Sequence, residues 1–517
     1  MKKTAAAIMV QGTASAVGKS LVVTGLCRLF RRAGLRVAPF KAQNMALNSA
    51  VAVGGGEIGR AQAVQAEAAG VEPTVEMNPV LLKPEGEGRS QLIVLGRPAG
   101  SLSAMGADWR AREPELRAIV RQSLARLRER VDLVVIEGAG SPAEVNLKER
   151  DIVNMDVARA AGARVLLVGD IDRGGVFAAL IGTMELLDPD ERALVGAFVV
   201  NKFRGDVRQL EPGLRFLRER TGVPVAGVLP FLPGLRIADE DSVSLDRRRR
   251  IRRAAPGELE IAIVRLPRIS NHDEFDPLEH ERGVVVRWVE NPEELRGADL
   301  VVLPGSKSTV ADLRWVRDTG IAGELVARAS RGEPVLGVCG GCQMLGVSLL
   351  DPDGAESRER EAAGLGVLPL VTRFRRDKTA ARVRARVTAE LLAPGSAHEA
   401  CGYEIHMGEV ERTGGSPALR VVARDGAARD LEDGAVSADG AVVGTLGHGL
   451  LEDDAVRAAL LARLRARRGL DAPAGPGVPP REVEYDRLAD ALTAHLDWEL
   501  LCDLAGVQVA LPAGARA

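Results

Sequence analysis

Short apolar runs punctuate the 517-residue chain, and most end in a tip rich in glycine, asparagine or aspartate. The first series falls at residues 5–10, 37–40, 131–136, 165–168, 197–200 and 225–229. Runs this short, apolar at nearly every position rather than at alternate ones, read as strands buried on both faces of a parallel sheet. Longer stretches with helical spacing lie between them, such as 21–30 and 113–130, so the pattern predicts a doubly wound α/β sheet over residues 1–245. A second series at 261–264, 284–289, 299–303 and 334–338 predicts a second α/β domain over residues 257–455. Residues 456–517 read as a linker and a short helical C-terminal extension, with the helical part at 483–505. A basic run at 247–253 sits where one series stops and the next begins, which makes it a solvated linker rather than a nucleic-acid patch.

Composition changes this picture little. With 46% hydrophobic residues, 27% charged residues and a net charge of -2, the chain has no electrostatic bias toward nucleic acid or a membrane surface. It holds no run of eighteen apolar residues, and the one at 5–10 is cut by Gln11 before it could serve as a signal sequence. Five cysteines, odd in number and without paired metal spacing, fit a reducing, cytoplasmic setting. One bias does carry information: the basic residues are mostly Arg, and Lys occurs nine times. Lys19, Lys41, Lys83, Lys148 and Lys307 all fall in Gly-, Pro- or Asn-rich segments, where a compact ammonium suits a site better than a flat guanidinium.

The first tip, Gln11-Gly12-Thr13-Ala14-Ser15-Ala16-Val17-Gly18-Lys19-Ser20, stands between a strand and a helix and is a phosphate-binding loop. Its amides and the helix N-terminus hold phosphates, so Gly12, Thr13, Gly18, Lys19 and Ser20 are the ATP-binding residues, with Ser20 also a magnesium ligand. Five residues separate Gly12 from Gly18, one more than the common spacing, as in P-loop proteins that phosphorylate carboxylates. Positions 14–16 lack the second lysine and paired glycines of partition-type ATPases. Glu137, at the tip of the strand 131–136, is the expected magnesium partner of Ser20. Lys41, Gln43, Asn44 and Asn48 form an amide-rich tip expected to meet the transferred phosphoryl group and the substrate, and Asn201 is placed to read a base edge.

The strand at 334–338 leads into Gly337-Val338-Cys339-Gly340-Gly341-Cys342-Gln343, a nucleophile elbow with Cys339 in the place of the usual Ser. The helix that follows favours a thiolate and offers amides to an oxyanion, from Gly340 and from Gly305 on the neighbouring tip. A thiolate needs a base. His448, late in the domain after a strand, is preferred over His406. The His-x-Glu pattern is absent because Leu450 stands two residues on, so a third member is left open. The G-x-C-x-G-x-Q pattern is that of class I glutamine amidotransferases, which release ammonia from glutamine.

Taken with the segments at 41–49, 137–144, 169–177, 201–206, 270–278, 304–309 and 403–408, the chain resembles the cobyric acid synthase family over about residues 5–455, and its tail resembles that family's helical piece. The resemblance implies a C–N bond-forming ligase using ATP, magnesium and glutamine. It would amidate the b, d, e and g carboxylates of adenosylcobyrinic acid a,c-diamide, a corrinoid, in cobalamin biosynthesis. Two positions depart from the family pattern: Ala16 replaces an acidic residue, and Cys342 replaces an aromatic one. Three alternatives remain at this level: the sibling a,c-diamide synthase, a non-catalytic regulatory P-loop ATPase, and a glutaminase subunit serving a separate ligase.

Overall fold

The computed structural model describes residues 4–86, 88–103, 107–148, 151–237, 252–393, 395, 398–471, 473 and 477–512. Most of the basic run, 247–251, lies outside the described residues.

Six strands form the first sheet: β1 Ala6–Gly12, β2 Val37–Phe40, β3 Leu133–Glu137, β4 Arg164–Asp170, β5 Val195–Phe203 and β6 Val225–Pro230. Their order is β6-β5-β4-β1-β3-β2, and every pair is parallel. The order reverses beside β1, so the carboxyl ends of β1 and β3 open onto the crevice where such sheets bind ligands. Both faces are buried as the continuous apolar runs require, one under the helix Lys19–Arg32 and the other under Ala107–Arg128.

The second domain is centred on β7 Leu259–Val264, β8 Val284–Val289, β9 Leu300–Leu303, β10 Val335–Val338, β11 Ala435–Val436 and β12 Val442–Thr445, in the order β8-β7-β9-β10-β12-β11. Only the β11–β12 pair is antiparallel. Both predicted sheets are present, and the helical tail is too.

Three further sheets were not legible as runs. Gln43–Met45, Val80–Gly86, Arg89–Val94 and Arg97–Ser103 make a four-stranded sheet in the first domain, and Ser49–Val51 pairs with Glu57–Gly59. In the second domain a seven-stranded sheet is built on the long strands Leu370–Val387 and Glu399–Arg412. These strands alternate buried and exposed residues, so their apolar content is diluted below what a run-based reading detects.

The C-terminal segment returns to the first domain. Leu488 and Leu492 of the helix Arg481–His495 cover Gly25, where an added Cβ would meet Leu492 at 2.7 Å. Arg28 donates to Asp486 at 2.8 Å, and the Phe30 and Trp498 rings lie 5.2 Å apart. The tail thereby closes the chain back onto the helix that carries the phosphate-binding loop.

Candidate active sites

At the end of β1 the loop runs straight into the helix Lys19–Arg32, and Gly18 takes φ 101°, a conformation closed to most side chains. Lys19 Nζ donates to the carbonyls of Ala14 (3.0 Å) and Gly140 (3.1 Å), so its ammonium lies over the loop. Glu137, fully buried at the end of β3, gathers the remaining groups. Ser20 Oγ donates to its Oε1 at 2.9 Å and Lys41 Nζ at 2.8 Å, while Gln65 Nε2 donates to Oε2 at 2.5 Å. The expected grouping of Lys19, Ser20, Lys41 and Glu137 is therefore one cluster. Gln65 was missed: it lies on the helix Arg60–Ala69, which the sequence offers as an ordinary alanine-rich stretch.

Asn201, expected to read a base edge, stands against the phosphate-binding loop. Its Nδ2 donates to the Val17 carbonyl (2.8 Å) and its Oδ1 accepts from the Lys202 amide (2.8 Å), so the side chain ties β5 to the phosphate-binding loop. Two of the expected substrate-facing amides are corrected. Asn48 is wholly buried, with Nδ2 2.9 Å from His272 Nε2 of the second domain. Asn44 is also buried and donates to Gln62 at 3.0 Å. Asn48 thereby joins the contact between the domains, while Asn44 is turned inward within the first domain, and neither faces the crevice. Gln43 does line a cleft of about 380 Å³ with Met45, Leu82, Trp109, Gly140 and Leu147. That cleft is largely apolar, and it adjoins the nucleotide centre through Gly140, whose carbonyl holds Lys19. Lys148 lines it too, paired with Asp188 and Glu191 at 2.8 Å.

The second centre is the elbow after β10. Cys339 has φ 50° and ψ −109°, a strained conformation for a residue with a side chain. Close packing enforces it. A Cβ at Gly341 would fall on the Leu303 carbonyl, one at Gly340 would meet the Ser306 amide nitrogen at 2.9 Å, and the Cys339 amide donates to Thr445 at 2.7 Å. The Gly340 and Gly305 loops thus press together beside the thiol, and a Cβ at Gly305 would lie 3.1 Å from His448 Cε1.

His448 is fully buried, where the chain passes from β12 in the parallel sheet into Gly447–His448 of the mixed sheet. Its Nδ1 lies 2.8 Å from Glu274 Oε1, and the Gly449 amide donates to Glu274 Oε2 at 3.0 Å. Burial acts to lower the imidazole pKa, but the Glu274 carboxylate and the Cys339 sulfur outweigh it and raise the pKa to about 10. Glu274 is the third member left open above. It comes from the turn after β7, far from His448 in sequence, so no short motif could reveal the pair. His406 lines the same pocket, but its Nδ1 donates to the Gly408 carbonyl at 3.1 Å, and burial lowers its pKa to about 4. Cys342 is fully buried against Gly444, and burial raises its thiol pKa well above the ordinary value, which leaves it inert.

The two centres share an interface. The Tyr403 ring stacks on His448 with centroids 5.2 Å apart and planes at 12°, and the Arg60 guanidinium carbon lies 5.2 Å from the Tyr403 ring centroid. Arg60 also donates to the Tyr403 hydroxyl at 2.5 Å and pairs with Asp273 at 2.8 Å. One helix, Arg60–Ala69, therefore touches Glu137 through Gln65 and the His448 ring stack through Arg60.

Comparison with known proteins agrees with this division of the chain. Residues 8–245 match the CobQ/CobB/MinD/ParA nucleotide binding domain, and residues 260–456 match the CobB/CobQ-like glutamine amidotransferase domain. The cobyric acid synthase of Sorangium cellulosum is 63% identical, with 98% of this chain and 99% of that protein aligned. Those of Pelotomaculum thermopropionicum (52%, with 97% of each chain aligned) and Moorella thermoacetica (49%, with 98% of each) are similar over the same extent. Identity of this size over both catalytic halves and the tail leaves one assignment: the chain belongs to the cobyric acid synthase family.

Proposed function

We propose that this chain converts the b, d, e and g carboxylates of adenosylcobyrinic acid a,c-diamide into amides, with glutamine as the nitrogen source and ATP as the activating substrate, in the cytoplasm. The observation that carries this reading is the docking of two complete centres against each other: a phosphate-binding loop with a buried Lys41–Glu137–Ser20 cluster, and a Cys339–His448–Glu274 set. The apolar cleft beside Gly140 and Gln43 supports a broad, largely hydrophobic macrocycle as the acceptor.

The residues at the loop fit magnesium. Ser20 and Glu137 supply hard oxygens, few in number as this ion prefers, since it keeps water and phosphate oxygens for its other positions. When bound, ATP with magnesium supplies the phosphoryl group that turns the substrate carboxylate into an acyl phosphate. Lys19 and Lys41 neutralise and orient that group, and ammonia then displaces phosphate. At the other centre His448, held by Glu274, pairs with the Cys339 thiolate. The thiolate attacks the glutamine amide, the Gly340 and Gly305 amides receive the oxyanion, and His448 returns a proton to the departing ammonia. Water then frees glutamate.

The test is incubation of the purified chain with ATP, glutamine and candidate corrinoid acids, read by mass spectrometry. Stepwise conversion of up to four carboxylates in the a,c-diamide supports the reading. Turnover of cobyrinic acid with no action on its a,c-diamide would assign the chain to the sibling reaction instead.

Glu274→Gln isolates the charge at the His448 ring without changing its shape. Glutamate release is expected to fall by about 10²–10⁴-fold, the usual worth of a positioned acid–base group. Because Glu274 raises the His448 pKa, its loss must move the basic limb of the glutaminase pH profile to lower pH. Ammonium-driven amidation is the control; an unchanged pH profile would show that Glu274 does not set the protonation of His448.

A further inference from the structure

The pocket at Cys339 is not built by the second domain alone. Lys83, from the strand Val80–Gly86 of the first domain, lines it together with Lys307, Lys378, Glu356 and Asn271. Lys83 is 2% exposed and Lys378 nearly as enclosed, yet both ammonium groups are paired with one carboxylate, Glu57. Lys378 lies 2.5 Å from Glu57 Oε2, and Lys83 holds Oε1 and, at 3.0 Å, the Ser49 hydroxyl. Lys307 has its own partner, Glu85, at 3.2 Å, and Glu356 accepts from the Thr309 amide. His406, whose pKa is depressed, adds no charge at neutral pH.

Two buried ammonium groups sharing one carboxylate leave one positive charge uncompensated, and buried charges are retained when something pairs with them. The pocket opens at the nucleophile, so the ligand that enters it is the amide donor. Glutamine carries one anion, its α-carboxylate, and one cation, its α-ammonium. The pocket offers the complement of both: the Lys83–Lys378 pair, and the Glu356 carboxylate.

The geometry points to Lys83 and Lys378 as the subsite for the α-carboxylate of glutamine, so that a lysine of the ATP-dependent domain completes the glutaminase pocket. This rests on the glutaminase reading of Cys339. It gives the two-domain arrangement a chemical purpose: glutamine is held in reacting position only when the domains are docked, which ties hydrolysis to the presence of the synthetase half. The neighbouring residue Leu82 lines the apolar cleft. Adjacent residues of a strand point to opposite faces, so a single strand separates the nitrogen-releasing pocket from the acceptor cleft.

The experiment uses the full chain with Lys83→Met and Lys83→Arg, and measures ammonia release from glutamine and from 4-aminobutanamide, which keeps the amide and the ammonium but has no α-carboxylate. Lys83→Met is expected to raise KM for glutamine on the order of 10- to 100-fold, the size of one charge-assisted hydrogen bond, with kcat changed much less. KM for 4-aminobutanamide stays put, and Lys83→Arg recovers part of the loss. An unchanged KM for glutamine, or an equal rise for both amides, overturns the subsite. So does a parallel fall in ammonium-driven amidation, which would mark Lys83 as a domain-docking group. Absence of corrinoid amidation by the unsubstituted chain would instead count against the acceptor reading, and the amide-hydrolysis comparison would still decide the role of Lys83.

Discussion

Cys339→Ala is expected to abolish glutamine-driven amidation and to leave amidation driven by high ammonium salt intact. Removing the nucleophile from a paired Cys–His set takes away the covalent route itself, and losses on the order of 10⁶-fold in kcat are known for nucleophile removal in such units. The change deletes one sulfur from an elbow whose shape is held by backbone packing of Gly340 and Gly341, so the pocket and the domain contact persist. Ammonium bypasses the missing step because it supplies the product of that centre directly to the other. Cys342→Ala is the matched control: that thiol is fully buried against Gly444, away from the reacting pocket, and its loss should leave both activities. Loss of both activities in Cys339→Ala would sink the two-centre scheme. A Cys342 variant that alone loses glutamine-driven turnover would show that the nucleophile had been misassigned.

Local order explains what could be read from the chain and what could not. Lys19, Ser20 and Cys339 sit in turns whose glycine pattern is dictated by neighbours in sequence, and the strand–turn–helix setting of each was evident from the flanking apolar runs. Lys41 and Glu137 were legible for the same reason, as polar tips of buried strands. Glu274, Tyr403, Arg60 and Gln65 were not, because their roles come from packing between segments that no short motif spans, from 72 residues apart for Gln65 and Glu137 to 343 for Arg60 and Tyr403. The amide-rich tip was misread in part: Asn44 and Asn48 have the chemistry of ligand-binding groups, and sequence cannot distinguish an amide that meets a substrate from one that meets Gln62 inside its own domain or His272 of the facing one. The scarcity of lysine was a better guide. Of the five lysines singled out, Lys19 and Lys41 lie at the nucleotide centre, Lys83 and Lys307 at the glutamine pocket, and Lys148 at the apolar cleft.

Lys19→Ala and Glu137→Gln should each abolish amidation with either nitrogen source, in contrast to the Cys339 variant. An ammonium about 4 Å from a phosphate charge at an effective dielectric near 20 is worth roughly 4 kcal/mol, so its loss corresponds to about 10³-fold in rate if the interaction is realised in the transition state. Glu137 acts on the same step through three neighbours at once, since Ser20, Lys41 and Gln65 all bond to it. Its amide replacement keeps the shape but removes the carboxylate charge that Lys41 pairs with at 2.8 Å, and losing one partner of a buried pair costs about 3–5 kcal/mol. Thermal unfolding must therefore accompany the Glu137 assay, and the Lys19 assay too, since that ammonium holds the Ala14 and Gly140 carbonyls together. Glutamate release from Cys339 in the same variants reports whether the second domain and its interface survive. Ammonium-driven turnover persisting in Lys19→Ala at ordinary ATP concentrations would remove the loop from the catalytic scheme, because no other lysine is placed over the carbonyls of Ala14 and Gly140 among the described residues.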